Sequence, residues 1–163
     1  MANTRAVFTP YGAIFPAANF PQLTLVNRHP VLGFDAATAE TCYFETVAPV
    51  GLTGAQTLTV HYMMASATSG KVDFTVAVES VTPGDALDMD AGDSFDAANT
   101  ITAPTVPATA GYEQVFTCTL TNVDSMAAGD HVRFALLRDA TDAVNDTATG
   151  DCYVLKAEWR DAV

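Results

Sequence analysis

From residue 41 onward the chain repeats one pattern: apolar and polar side chains alternate with a period of two, in runs bounded by turn residues. That period sends successive side chains to opposite faces of a strand, so such a chain is directed toward half-buried β-structure. In "QTLTVHYMMAS" the residues Leu58, Val60, Tyr62 and Met64 fall on one face, and Thr57, Thr59 and His61 on the other. In "KVDFTVAVESV" the inward set is Val72, Phe74, Val76 and Val78, and the outward set is Lys71, Asp73, Thr75 and Glu79. The short connection "ATSG" between the two runs predicts a hairpin.

Further strand-like runs occur at "HPVLGFD", "ETCYFETVAP", "NTITAPTV", "YEQVFTCTLTNV", "HVRFALLRD" and "DCYVLKAEWRD". In the last of these, Tyr153, Leu155, Ala157 and Trp159 are expected to share a face, which places Trp159 in the core. No long stretch carries a helical stripe, and the many Thr and Val residues agree with that. About eight strands, several with connections longer than a hairpin turn, predict an all-β fold, an antiparallel β-sandwich of jelly-roll type. Residues 1–30 differ in character: "VFTPYGAIFPAANFPQLTLVNRHP" holds four of the eight prolines and little alternation. They read as an extended proline-rich N-terminal arm that lies over the domain or reaches a neighbour, with the sandwich domain spanning 31–163.

Composition narrows the function. The chain is 163 residues long, 49% hydrophobic and 16% charged, which suits one globular domain with a real core. Seven Lys+Arg stand against nineteen Asp+Glu, a formal charge of −12. So acidic a surface repels phosphate backbones and anionic lipid, which argues against nucleic acid and membrane as partners. The N-terminus holds no apolar run of signal-peptide length, and no segment is long and apolar enough to span a bilayer, so assembly in the cytoplasm is expected. Cys42, Cys118 and Cys152 lie far apart inside strand-like runs and read as reduced core thiols, with a Cys118–Cys152 bridge as the sharper alternative.

Two acidic clusters invite a chemical reading. In "DALDMDAGDSFDAANT" five aspartates fall within residues 85–96, and Asp88, Asp90 and Asp93 are calcium candidates because hard cations want converging oxygens from a Gly-containing turn. The spacing departs from a calcium loop, with Gly92 and Asn99 where oxygen ligands belong, and a solvated crossover loop is the simpler reading. The second cluster, Asp139, Asp142, Asp146 and Asp151, lies among Asn, Thr and Gly residues that build turns, with Arg138 forming a local ion pair. His29, His61 and His131 lack zinc-ligand spacing. Nucleophile-elbow, P-loop and dinucleotide-binding patterns are missing, so neither catalytic residues nor cofactors are assigned and a non-enzyme is expected. Sugar stacking through Tyr11, Tyr43 or Tyr112 is the carbohydrate-binding alternative.

The runs "PVLGFDAATAETCYF", "LTVHYMMASATSGKVDFTVAVESV", "DSFDAANTITAPTVPATAGY" and "SMAAGDHVRFALLRDATDAVNDTATGDCYVLKAEWR" together resemble the decoration or cement proteins of tailed bacteriophages, which have a jelly-roll core. The likeness spans about residues 30–160, and its most specific elements are "SATSG" and "AGDHVRFALLRD" followed by "DTATGD". It implies a non-enzymatic virion structural protein, a homotrimer on the outer capsid surface that binds across junctions of the major capsid protein. A tail or fibre module that binds glycan or receptor is the alternative. In the capsid reading the N-terminal arm supplies the contacts, through Phe8, Pro10, Tyr11, Phe15, Pro16, Phe20 and Pro21, since proline lowers the entropy lost on ordering an extended segment. Thr57, Thr59, Thr117 and Thr119 are candidates for pairing across a trimer axis, against the alternative of an ordinary solvated strand face.

Overall fold

The computed structural model describes residues 3–52 and 54–162. Its ten strands are β1 (Thr4–Phe8), β2 (Gln22–Val26), β3 (His29–Phe34), β4 (Glu40–Val47), β5 (Gln56–Met64), β6 (Phe74–Val81), β7 (Asn99–Thr100), β8 (Gln114–Leu120), β9 (His131–Arg138) and β10 (Cys152–Asp161). A 3-10 turn, Pro10–Gly12, follows β1. The larger sheet has six strands in the order β2-β3-β10-β5-β8, with β1 also paired to β10; the smaller has the order β4-β9-β6-β7. All pairings are antiparallel, and the two sheets pack as a jelly-roll sandwich, as the alternation predicts.

The core follows the period-two pattern closely. Leu58, Val60, Tyr62 and Met64 of β5 face Val76, Val78, Phe134 and Leu136 of the smaller sheet across a continuous apolar interior. Aromatic pairs link the sheets: Phe34 meets Phe74 edge-on at 5.4 Å, Phe74 stacks on Phe116 at 4.9 Å, and Phe134 meets Trp159 at 5.3 Å. Such pairs contribute about 0.5–1.5 kcal/mol each beyond the area they bury.

Three sequence expectations are corrected. The first thirty residues do not stand apart as an arm, and a boundary at residue 30 would cut the β2–β3 hairpin, which turns at Asn27 and Arg28 with positive φ at both. β1 pairs along β10, and Phe8 is buried between Phe44 at 5.2 Å and Phe134 at 5.6 Å. Burying an aromatic ring outweighs leaving this short apolar run in water. Only residues 13–19 lie over the domain as a strap: Ile14 exchanges backbone hydrogen bonds with Tyr43, and Thr41 N–H donates to the Asn19 carbonyl, along the edge of β4.

Secondly, β5 and β6 form no hairpin. The connection carries the chain from the larger sheet to the smaller, because both neighbours of β5 (β10 and β8) and both of β6 (β9 and β7) come from elsewhere in the chain. Thirdly, Leu155 is an extra residue between the Val154–Tyr62 and Lys156–His61 pairs, a β-bulge that reverses the alternation. Ahead of the bulge Cys152 and Val154 point inward and Tyr153 outward; beyond it Ala157 and Trp159 point inward. The three cysteines, in contrast, are free and buried, as their places inside strand-like runs predict, and only the alternative of a bridge fails. Cys118 faces Leu58 and Cys152 faces Met64 on opposite flanks of β5, too far apart for a bridge. Burial pushes the Cys118 thiol up to about 11 and that of Cys152 to about 12, so both are inert at neutral pH.

Charged groups also hold the fold. Arg138 is fully buried. It donates from Nε and Nη2 to the two Asp146 carboxylate oxygens at 2.8 and 2.9 Å, and from Nη1 to the carbonyls of Phe34 and Gly150. Burial opposes its charge, yet the Asp146 carboxylate prevails and holds the guanidinium above its ordinary value. Arg5 makes a two-pronged contact with Asp161, both bonds at 2.8 Å, tying the first strand to the last.

Two outcomes follow from these ion pairs. Asp146→Ala leaves a buried guanidinium without its anion and is expected to cost about 3–5 kcal/mol in urea unfolding. At the chain ends, hydrogen bonding from Arg5 depresses the Asp161 carboxyl below its usual range. That contribution is complete above the unfolded value of about 3.9 and is lost as pH falls through the lower folded value. Amide exchange of residues 4–7, corrected for intrinsic rate, is therefore expected to accelerate at acid pH in the wild type, and to be already faster at neutral pH in Asp161→Asn.

Candidate functional site

The outer face of the larger sheet carries a cleft of about 680 Å³. It is walled by the tip of the β2–β3 hairpin (Val26, Asn27, His29), the end of β5 with Met63, Gly111 and Glu113, and by Tyr153, Leu155 and Lys156 of β10. The bulge at Leu155 falls where the flank of β10 passes from β3 to β1, and Thr9 and Pro10 complete the wall there. Gly33 opposite Tyr153 allows the ring to lie close, since a Cβ at Gly33 would sit 3.3 Å from it.

Of the charged residues in the wall, Glu113 is paired with a histidine that lies outside the lining. His61 Nδ1 is 2.7 Å from Glu113 Oε1, and His61 Nε2 is 3.8 Å from Glu158 Oε1. Two exposed tyrosines adjoin the cleft in sequence: Tyr11, 68% exposed, follows Pro10, and Tyr112, 64% exposed, lies between Gly111 and Glu113. The arrangement offers an apolar wall, one carboxylate and ring faces, suited to holding a ligand or a partner's side chains. A nucleophile hydrogen-bonded to a base is not among the features the cleft presents.

The second place where functional types converge is the outer face of the smaller sheet. Arg133 of β9 lies 5.1 Å from the ring centres of both Tyr43 and Phe95, which stack on each other at 5.7 Å. Its Nη1 donates to Glu79 at 2.8 Å and to Asp93 at 2.6 Å. Ser94 donates to the same Glu79 carboxylate from its backbone N–H, and Asp96 N–H to the Val78 carbonyl. The expectation of a freely solvated loop over residues 85–98 therefore fails at its C-terminal half, which is docked onto the sheet.

Asp93 is taken up by Arg133, and Asp88 accepts the Asp90 N–H in a local turn, so these carboxylates do not converge. Among the described residues, no group of three or more His, Cys, Asp or Glu is placed to hold a metal ion. Of the second cluster, Asp139 and Asp142 cap local turns, whereas Asp146 is buried against Arg138. Of the proposed contact residues, Phe8, Pro10 and Pro21 are buried in the chain's own fold, Phe15, Pro16 and Phe20 are half-buried, and Tyr11 is exposed. Phe15 and Phe20 pack on each other at 5.4 Å. Thr59 and Thr117 hydrogen-bond to each other at 3.0 Å within one chain, and Thr57 faces Thr119 in the same ladder. Tyr43 is occupied by Arg133, and Trp159 is in the core. His131 approaches Glu45 at 3.4 Å, and His29 lines the cleft.

Sequence reasoning missed the His61–Glu113 pair and the Arg133 cluster. The outward position of His61 on β5 was legible, but its partner lies 52 residues away. Only the pairing of β5 with β8 brings them together.

No protein-family model matches the chain, and no curated protein sequence matches it. Solved structures do resemble it in fold. The xylan-binding domain CBM22-1 of Paenibacillus barcinonensis Xyn10C aligns with a TM-score of 0.52 at 12% identity, covering 99% of this chain and 97% of that one. CBM35 from Cellvibrio japonicus Abf62 aligns at 0.43 and 12% identity, covering 98% and 92%. A carbohydrate-binding module, CBM28, specific for non-crystalline cellulose aligns at 0.45 and 7% identity, covering 95% and 89%. At these identities the likeness is one of fold: the chain shares the β-sandwich of the xylan-binding domain over nearly its whole length.

The docked half of the acidic loop gives a direct test. Phe95→Ala removes one ring from the Arg133 stack, and limited proteolysis is expected to cut within residues 85–98 several times faster than in the wild type, with the thermal midpoint shifted by only a few degrees.

Proposed function

We propose that this protein is a non-enzymatic structural component of a tailed-phage virion, which decorates the outer capsid surface and stabilises it by binding across junctions between major capsid proteins. The observation that supports this most is a contrast in charge. In a chain of net charge −12, residues 6–27 contain no Asp, Glu, Lys, Arg or His. The same stretch carries Val7, Tyr11, Ile14, Leu23 and Leu25 among the exposed large apolar side chains, a density several times that of the rest of the chain. An uncharged, partly apolar strip on an acidic protein is the sort of surface that loses least on being covered by another protein.

The strap of residues 13–19 is held by main-chain bonds to β4, so its side chains are presented on a fixed frame. Pre-organisation of that kind lowers the entropy lost on binding. Tyr11, Ile14, Phe15, Pro16 and Phe20 are the contact residues in this reading; Phe8, Pro10 and Pro21 support them from beneath. A capsid under outward pressure is reinforced by area buried across its seams, and many copies binding together need only modest contacts each. The chain would be assembled in the host cytoplasm and act on the mature head.

A second reading, a glycan- or receptor-binding module of a tail or fibre, is favoured by the cleft and the tyrosines next to it. Rings such as Tyr11 and Tyr112 offer faces on which sugars stack, and the His61–Glu113 pair offers polar contacts.

Co-sedimentation with phage heads stripped of their decoration separates the two. The capsid reading expects saturable binding, weakened at least about tenfold by Ile14→Asp in the strap, the result of placing a charge in a desolvated contact. If heads are ignored while a host polysaccharide is bound, with loss of that binding in Tyr112→Ala, the capsid reading fails and the second takes its place.

A further inference from the structure

We propose that two copies of this chain join through the free edge of β2, in antiparallel register about Thr24, to make one continuous sheet across a two-fold axis. This concerns how copies associate, and stands whichever partner the strap binds.

The edge itself is the first observation. β2 ends the order of the larger sheet, and among the described residues nothing pairs with its outer side. Exposed edges are templates for further pairing, and proteins that stay monomeric blunt them with charges, prolines, bulges or a covering segment. Gln22–Val26 has none of these devices. The neighbouring edge of β4, by contrast, is covered by the strap.

Self-complementarity is the second. The strand "QLTLV" is nearly symmetrical about Thr24, so pairing with a second copy sets Leu23 against Leu25 of that copy, and the reverse, on one face. Leu23 is 44% and Leu25 61% exposed. They share a face with the buried Leu32, which pairs with Leu23, and so they extend the core side of the larger sheet beyond the cover of the smaller. Pairing brings four leucines together as a small shared core.

Charge is the third. Two bodies of charge −12 repel, and contact is favoured only where charge is missing; β2 lies within the uncharged residues 6–27. At the ends of the strand the sign becomes attractive. Arg28, at the hairpin tip, makes no ion pair among the described residues. Extending both registers sets Arg28 of the second copy two strands from Asp35, about 10 Å between Cα atoms, where opposite charges still attract at ordinary salt. The exposed Asp35 carboxylate is held below its usual range by the Ala37 and Thr38 N–H groups and is charged at neutral pH.

A two-fold through Thr24 makes a positional prediction. Thr24 is exposed, and in an antiparallel pair the two Thr24 Cα atoms lie about 4.5–5.5 Å apart, within disulfide range. Thr24→Cys is expected to form a covalent dimer under mild oxidation, while Val26→Cys, which faces Gln22 of the second copy, is not. The native cysteines are buried and do not compete. Light scattering of the wild type is expected to show a dimer in equilibrium with monomer, and Leu25→Lys to raise its dissociation constant at least about tenfold with an unchanged circular dichroism spectrum. A monomer at all concentrations, a trimer insensitive to Leu25→Lys, or cross-linking at Val26→Cys in place of Thr24→Cys overturns the proposal. So does protection of the β2 amides from exchange only when phage heads are added, which would assign the edge to the capsid.

Discussion

The buried pair of Arg138 and Asp146 is the point on which the connection between the two sheets depends. Arg138 ends β9 in the smaller sheet, and its other acceptors, the carbonyls of Phe34 and Gly150, belong to the ends of strands in the larger. Asp146 Oδ2 also accepts the N–H of Asp73, just ahead of β6. One guanidinium therefore fixes the ends of β3, β6, β9 and β10. A buried charge is tolerated only when it is fully hydrogen-bonded, and the loop of residues 139–151 must fold back for that to happen. The loop is pressed in turn on the β5–β6 connection: Thr147 and Ala148 donate to the Lys71 carbonyl. Gly70, at φ +93, has no room for a side chain, since a Cβ would meet that backbone at 2.8 Å.

The same logic recurs twice. Asn99, buried, accepts from Thr121 and from the N–H of Asn122, and donates to the carbonyls of Val76 and Asn122, so the smaller sheet is tied to the chain leaving β8. Arg133 does the corresponding work outside the smaller sheet, where Glu79 would otherwise be a buried carboxylate without a cation. In each case a polar side chain in or beside a turn-like stretch is satisfied by several partners distant in sequence. Apolar packing supplies the greater part of the stability, while these groups fix which loop lies where.

This division explains what was legible in the sequence. Alternation is local, so β5 and β6 could be read residue by residue, and their inward sets are all buried. Topology is not local: whether "ATSG" closes a hairpin or crosses to another sheet depends on Cys152–Asp161, which occupies the place beside β5 that a hairpin partner would take. A bulge is invisible for a related reason, since Leu155 keeps the period of two in sequence and breaks it only against β5. Asp146 and Asp142 look alike as letters among Asn, Thr and Gly, and only the guanidinium behind Asp146 separates a buried anchor from a turn cap. The Asp93 carboxylate, considered as a calcium ligand, is likewise claimed by an arginine 40 residues away.

Edges carry the same lesson into function. Both edges of the smaller sheet are closed by irregular chain: residues 13–19 along β4, and Asp96, β7 and Thr105 beside β6 and Lys71. Closure uses main-chain bonds, which any residue but proline can donate, so these segments need no alternation and read as loops or arms. Some of their side chains pack inward, as Ala13, Phe15 and Asn99 do, and others, Ile14 among them, face outward. That is why a stretch with no strand pattern is both structurally fixed and chemically open: Ile14 is held by its backbone on Tyr43, while its side chain is released from the core. A surface built this way can change its contacts through outward side chains alone without disturbing the sandwich beneath, whereas in the larger sheet the end strands β2 and β8 have, among the described residues, no segment paired along their outer sides.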